Sequence, residues 1–238
     1  MDEGQRRIVL STEGLDVPQT LDLAVQLNDK IGWIKISTAL ALQEGFSLTK
    51  RIRKHSPNTK VLLDLKLYEE PQYLKDSIKA ALTFQPDMLT ILLTDNLNTL
   101  QEALTQGIES GTDIAAHVPE SNFKSNNQNI YKLYKLNNPI CVNPQNTRET
   151  RCYVIHTHYN LVNELSTHMP LFLFMAYGLE QNLPSPDLQT TLHSIQQTFM
   201  QGSDYICIGP SISSNPKPIE AAEAISEIIN KTLRAPKT

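Results

Sequence analysis

Val61-Leu62-Leu63-Asp64-Leu65-Lys66-Leu67-Tyr68-Glu69-Glu70-Pro71 is an apolar run with charges gathered at its far end. The run reads as a strand, and Pro71 opens an amphipathic helical pattern that continues to Thr83. Side chains alternate along a strand, so Asp64 and Lys66 point to the same side. Two opposite charges at the end of an apolar strand are costly to desolvate unless they face a polar site. A lysine held between carboxylates keeps its proton, which makes it a proton donor. Taken alone, Asp and Lys two apart also describe a surface ion pair of little energetic weight. The rest of the chain decides between these readings.

The same strand-then-helix unit recurs along the sequence. Strands are predicted at 8–11, 33–37, 60–65, 88–93, 113–118, 153–157, 171–176 and 205–209. Amphipathic stretches alternate with them at 17–29, 39–55, 71–83, 99–107, 161–167 and 186–202, and another at 217–233 follows the last strand. Strict alternation argues for a parallel sheet. Eight repeats in 238 residues point to a closed (β/α)8 barrel, a TIM barrel, formed by residues 1–238 as a single domain. An open doubly wound sheet is the competing arrangement, but Ser11-Thr12-Glu13-Gly14 after the first strand is not a dinucleotide-binding glycine turn. The section about 119–150, rich in Asn, Gln, Ser and Pro, reads as an irregular insertion or lid, with a helix near 129–136.

A net charge of −4 gives no broad basic surface, so nucleic acid is not an expected partner, while a local pocket can still hold a small anion. The three cysteines, Cys141, Cys152 and Cys207, form no C-x-x-C pair and imply neither a disulfide framework nor a zinc ribbon. The segment Met1–Arg7 lacks the apolar core of a signal peptide, and no apolar run approaches a membrane span. No membrane association is expected, and the cytoplasm is the expected compartment.

Barrel chemistry sits at the carboxyl ends of the strands. The residues there are Ser11, Lys35, Asp64, Lys66, Thr94-Asp95, His117, His156, His158, Gly178 and Gly209. Lys35, inside Gly32-Trp33-Ile34-Lys35-Ile36-Ser37, needs a partner if its strand is buried, and Asp64 on the next strand can supply it. Lys35, Asp64 and Lys66 would then form a row of alternating charge at the barrel mouth.

Three stretches carry a family likeness. They are Lys35-Ile36-Ser37-Thr38-Ala39-Leu40 with Gly45, the run Leu63–Pro71, and Ser203-Asp204-Tyr205-Ile206-Cys207-Ile208-Gly209-Pro210-Ser211-Ile212 leading to Asn215-Pro216. In order and spacing the chain resembles the orotidine 5'-phosphate decarboxylase family. The resemblance implies a homodimeric barrel that converts orotidine 5'-phosphate to UMP and carbon dioxide, with no cofactor and no metal. It assigns Lys35 to the ribose and to holding Asp64, and sets Asp64 near the leaving carboxylate. Lys66 would stabilise and protonate the carbanion, and Glu69 would serve the partner's site. The substrate is then a small nucleotide phosphate, with Ser11 on the ribose hydroxyls and with Gly178, Gly209 and Ser211 as phosphate-binding backbone.

The sequence departs from the family pattern at several of these places. Ser11 replaces an aspartate, Glu69 is one methylene longer than the family's acid, and Glu70-Pro71-Gln72-Tyr73 brings a bulky Tyr73. Pro210 stands where the family has a phosphate-clamping arginine. Loss of one bidentate guanidinium weakens phosphate binding by roughly 1.5–3 kcal/mol. Two related alternatives therefore stay open: a catalytically impaired relative that binds a nucleotide or a protein partner, and a decarboxylase of another phosphorylated substrate. A metal enzyme using His117, His156 and His158 is a further class, because alternation puts the last two on one face.

Overall fold

The computed structural model describes residues 1–45, 47–93, 97–120, 154–169, 172–180 and 188–235. Eight parallel strands close on themselves: β1 (Ile8–Ser11), β2 (Trp33–Ser37), β3 (Lys60–Leu67), β4 (Met88–Leu92), β5 (Asp113–Val118), β6 (Val154–His158), β7 (Leu173–Tyr177) and β8 (Tyr205–Ile208). Around them run α1 (Glu3–Arg6), α2 (Val17–Gln26), α3 (Thr38–Glu44), α4 (Leu48–His55), α5 (Pro71–Leu82) and α6 (Leu97–Ser110). The outer ring continues with α7 (Val162–His168), α8 (Leu188–Met200), α9 (Pro210–Ser213) and α10 (Pro218–Arg234). The (β/α)8 expectation is met. The predicted insertion, its helix near 129–136, Cys141, Cys152 and Thr94-Asp95 lie outside the described residues.

Local chemistry accounts for the element ends. Asp16 caps α2 by accepting from the Gln19 amide at 2.8 Å, while Gln19 Oε1 accepts from the Asp16 amide at 2.9 Å. Pro71 and Pro218 begin α5 and α10, where the missing N–H is no loss. The pattern over 39–55 predicts one helix, but Gly45 at φ 67° ends α3, and α4 starts afresh at Leu48.

The barrel interior is layered by the two-residue period of its strands. Each strand gives one residue to an inner apolar floor: Val9, Trp33, Leu62, Met88, Ala115, Val154, Met175 and Cys207. These are register partners at β1–β2, β3–β4, β5–β6 and β8–β1, and step by two residues at each of the other four junctions. That is the stagger that closes an eight-stranded barrel. Outward-facing residues such as Ile8, Leu10, Ile34, Leu63 and Ile206 pack under the helices in a larger apolar layer. Buried apolar area of this kind is worth roughly 25 cal/mol per Å² and drives closure of the ring.

Two residues beyond the floor, the inward positions become polar. They read Ser11, Lys35, Asp64, Thr90, His117, His156, Tyr177 and Gly209. A dry apolar plug below and a polar ring above place the site at the carboxyl ends of the strands.

Candidate active site

Lys35 and Asp64 are almost wholly buried, with side-chain exposures of 5% and 1%. Lys35 Nζ donates to Asp64 Oδ2 at 3.0 Å. Lys66 Nζ donates to the same oxygen, also at 3.0 Å. The other oxygen, Oδ1, accepts from the Thr90 hydroxyl at 2.7 Å. Burial opposes the charge of Asp64, but the His156 ring, the two ammonium groups and the Thr90 hydroxyl outweigh it. The carboxyl is held well below the usual range. Burial likewise opposes the charge of Lys35, and the carboxylates of Asp64 and Glu13 overcome it, so its ammonium is held more firmly than in water.

The position of Lys66 is not simple alternation. Pairing advances from Leu63↔Leu89 to Leu67↔Ile91, so β3 carries two extra residues against β4. Lys66 sits in this bulge at φ 47°, and its amide donates to Thr90 Oγ1 at 2.9 Å. A left-handed lysine costs about 1–2 kcal/mol, and such strain collects at functional sites. The bulge turns Lys66 back over Asp64 while leaving it more open to the cavity, at 38% exposure.

Neighbouring strands fix the row. The Thr12 hydroxyl donates to the Lys35 carbonyl at 2.6 Å, tying the end of β1 to β2. The Thr38 hydroxyl donates to the Asp64 carbonyl at 3.1 Å, tying the start of α3 to β3. Thr12 and Thr90 are both fully buried.

The cavity above this row has a volume of about 340 Å³. Ser11, Lys35, Lys66, Gly178 and Gly209 all line it, so most of the residues singled out from the sequence come together. Asp64 lies just beneath, hidden by the two lysines. Ser211 is buried and not among the described lining residues; its hydroxyl is engaged with Thr191 Oγ1 at 2.9 Å and its amide donates to Glu180. Glu69 is outside the cavity; it is exposed and accepts from the Ser77 hydroxyl at 2.8 Å. Tyr73 is 59% exposed and does not fill the ligand space.

Residues not singled out from the sequence complete the lining. Glu13 reaches back over Ser11, accepts from its hydroxyl and pairs with Lys35. The acid absent at position 11 is thus supplied two residues later. Tyr177 stacks on His117 at 5.3 Å between ring centroids, and burial pushes its hydroxyl up to about 12. Glu180 accepts from the amides of Gly209 at 2.7 Å and Ser211 at 2.6 Å. Glu13 and Glu180 lie two and three residues past the ends of β1 and β7, where sequence gives no direction to a side chain, whereas Tyr177 is the last residue of β7 and points inward by alternation.

The histidines do not form a three-imidazole site. His117 Nδ1 and His156 Nδ1 face each other at 3.1 Å, one donating and the other accepting. His156 Nε2 lies 3.8 Å from Cys207 Sγ. His158 turns away, and its Nδ1 accepts from the Asn160 amide at 3.4 Å. Both His156 and His158 are buried rather than solvent-facing. Among the described residues no cluster of His, Cys, Asp and Glu is arranged to hold a metal ion. Burial pushes His156 down to about 3 and His117 to about 4, the Lys66 ammonium adding to the effect at His117. It pushes the Cys207 thiol up to about 12. At neutral pH this cluster carries no charge.

Comparisons with known proteins bear on the family and the fold. The model of the orotidine 5'-phosphate decarboxylase / HUMPS family matches residues 12–225. Orotidine 5'-phosphate decarboxylase of Lawsonia intracellularis is 21% identical, covering 92% of this chain and 97% of that protein. A 3-hexulose-6-phosphate synthase of Staphylococcus aureus is 20% identical, covering 90% and 94%. The crystal structure of orotidine 5'-phosphate decarboxylase from Pyrococcus horikoshii superposes with a TM-score of 0.71 at 17% identity, covering 94% of this chain and 99% of that one. At such identity the superposition speaks to the fold, and the family match speaks to descent. The chain belongs to the orotidine 5'-phosphate decarboxylase / HUMPS family.

Proposed function

We propose that the chain is a carboxy-lyase that converts orotidine 5'-phosphate to UMP and carbon dioxide in pyrimidine biosynthesis, acting in the cytoplasm. The observation that carries this reading is the single Asp64 oxygen held at 3.0 Å by both Lys35 and Lys66 at the foot of a nucleotide-sized cavity. A substrate carboxylate entering there meets Asp64. The C6–carboxyl bond breaks, carbon dioxide leaves, and the electron pair stays on C6. The Lys66 ammonium is fixed beside that developing charge, and a preorganised donor stabilises it without reorganising at the moment of reaction. The same ammonium then gives its proton to C6 and is reprotonated from solvent. Lys35 and Glu13 stand at the ribose end, with Ser11 between Glu13 and the strand.

Incubation of the purified protein with orotidine 5'-phosphate, followed at the orotate absorbance band, tests the reading. A fall in absorbance with formation of UMP supports it, and an unchanged spectrum at high enzyme concentration sinks it. Glu69 belongs to the proposal as a residue of the neighbouring copy's site. Tyr68 and Tyr73, 72% and 59% exposed, flank it and give that face the apolar surface a second subunit would cover. Mixing Lys66→Ala and Glu69→Ala proteins is expected to restore up to about a quarter of the sites in a symmetric dimer. No recovery removes Glu69 from that role.

A further inference from the structure

The cavity has two ends of opposite character. Among the described lining residues the cations are Lys35 and Lys66, and both are committed to Asp64. The far end is lined by Gly178, Glu180, Gly209 and Pro210, and among the described residues it carries no cation. Its polar groups are backbone amides, and two of them are already taken. Glu180 Oε2 accepts from Gly209 N and Oε1 from Ser211 N, at 2.7 and 2.6 Å. One carboxylate thus spans two amides in the two-point manner in which an anion is bound. Gly178, at φ 87°, makes the turn that brings position 180 back over β8. Glu180 is only partly buried, so its carboxylate has solvent to move into.

We propose that Glu180 is a specificity-determining residue: its carboxylate occupies the seat that a ligand's phosphate would take, and a phosphorylated ligand binds only by displacing it. The inference rests on the reading of Gly209 and Ser211 as phosphate donors. A dianion approaching this end must break two charge-assisted hydrogen bonds and push a like charge aside. No guanidinium at position 210 offsets that cost. Uncharged nucleosides face no such competition. The residue therefore narrows the gap in affinity between a nucleotide and its nucleoside.

The test is calorimetric titration of UMP, uridine and inorganic phosphate into wild type, Glu180→Ala and Glu180→Gln at pH 7. Expected is UMP binding at least tenfold tighter in Glu180→Ala, with uridine changed less than twofold and phosphate also gaining. Glu180→Gln keeps the size of the side chain and one acceptor without the charge, and is expected to fall between. Its gain decides the matter if the alanine variant folds poorly. Phosphate and UMP binding that stay the same or weaken in both variants overturn the proposal. Phosphate that tightens while neither UMP nor uridine binds any of the proteins keeps Glu180 in its role and removes the nucleotide reading instead.

Discussion

Lys66 Nζ stands 3.0 Å from Asp64 Oδ2, on the oxygen that Lys35 also holds. The two lysines share one acceptor but not one environment: Lys35 is buried and Lys66 opens to the cavity. That division makes Lys35 the buried counter-ion of Asp64 and Lys66 the ammonium that also faces the cavity.

Lys66→Ala is expected to lower kcat for decarboxylation by about 10³-fold or more, the scale of losing a preorganised transition-state donor together with the proton source. The fold should persist, since Asp64 keeps Lys35 and Thr90 and the alanine inherits the same left-handed backbone. Steady-state rates beside a melting curve check both halves. Activity within tenfold of wild type would free Lys66 from the role.

Asp64→Asn leaves the buried Lys35 ammonium with Glu13 alone and is expected to destabilise by about 3 kcal/mol. Lys35→Met should cost less, because Asp64 keeps Lys66 at 3.0 Å and the Thr90 hydroxyl at 2.7 Å. The double variant loses both charges together, so its cost should fall short of the sum by about 1–3 kcal/mol. Denaturant unfolding of the four proteins measures this coupling. Strict additivity would mean that the pair does not act as a unit.

Acid should weaken the fold in a window set by the two inner histidines. Both are neutral in the folded protein, with values of about 4 for His117 and about 3 for His156. In the unfolded chain they take up a proton near pH 6.5. Below that pH the unfolded state binds more protons, so stability falls as pH falls, until the folded-state values are reached. The slope approaches about 1.4 kcal/mol per pH unit for each histidine between pH 6 and 4.5. His117→Phe should reduce the slope over that range by about half. Unfolding free energies against pH give the answer, and an unchanged slope in the variant would remove His117 from the effect.

Pro210→Arg restores a cation between the two amides that Glu180 holds. In an otherwise wild-type chain the guanidinium pairs with Glu180, and UMP affinity should rise by less than about tenfold. With Glu180→Ala as well, the gain should approach the roughly 1.5–3 kcal/mol of a charged hydrogen-bonding partner. Titration of UMP into the single and double variants separates the cases. Equal gains in both backgrounds would mean that Glu180 does not answer the arginine.

The eight strands could be read from residues such as Val61–Leu65, because an apolar run between turn signals is a local property of the chain. So could the inward row, since a period of two carries Val9 to Ser11, Trp33 to Lys35 and Leu62 to Asp64. Lys66 reaches the expected face by another route. Alternation alone predicts it, but a bulge with a left-handed residue delivers it, and no residue type in the run announces a bulge. Alternation also leaves a minor metal reading open for His117, His156 and His158, but only the barrel turns the Nδ1 atoms of His117 and His156 toward each other.

The order of the elements, the apolar floor and the charges above it follow from the periodicity of one strand at a time, and are legible in the chain alone. Only the closed barrel decided that Glu13 would stand in for an acid missing at position 11, and that Glu180 would sit on the amides of Gly209 and Ser211. Those side chains leave from loops, where no repeat fixes direction. Their partners lie 22 to 31 residues away in the chain and are brought near only when the ring closes.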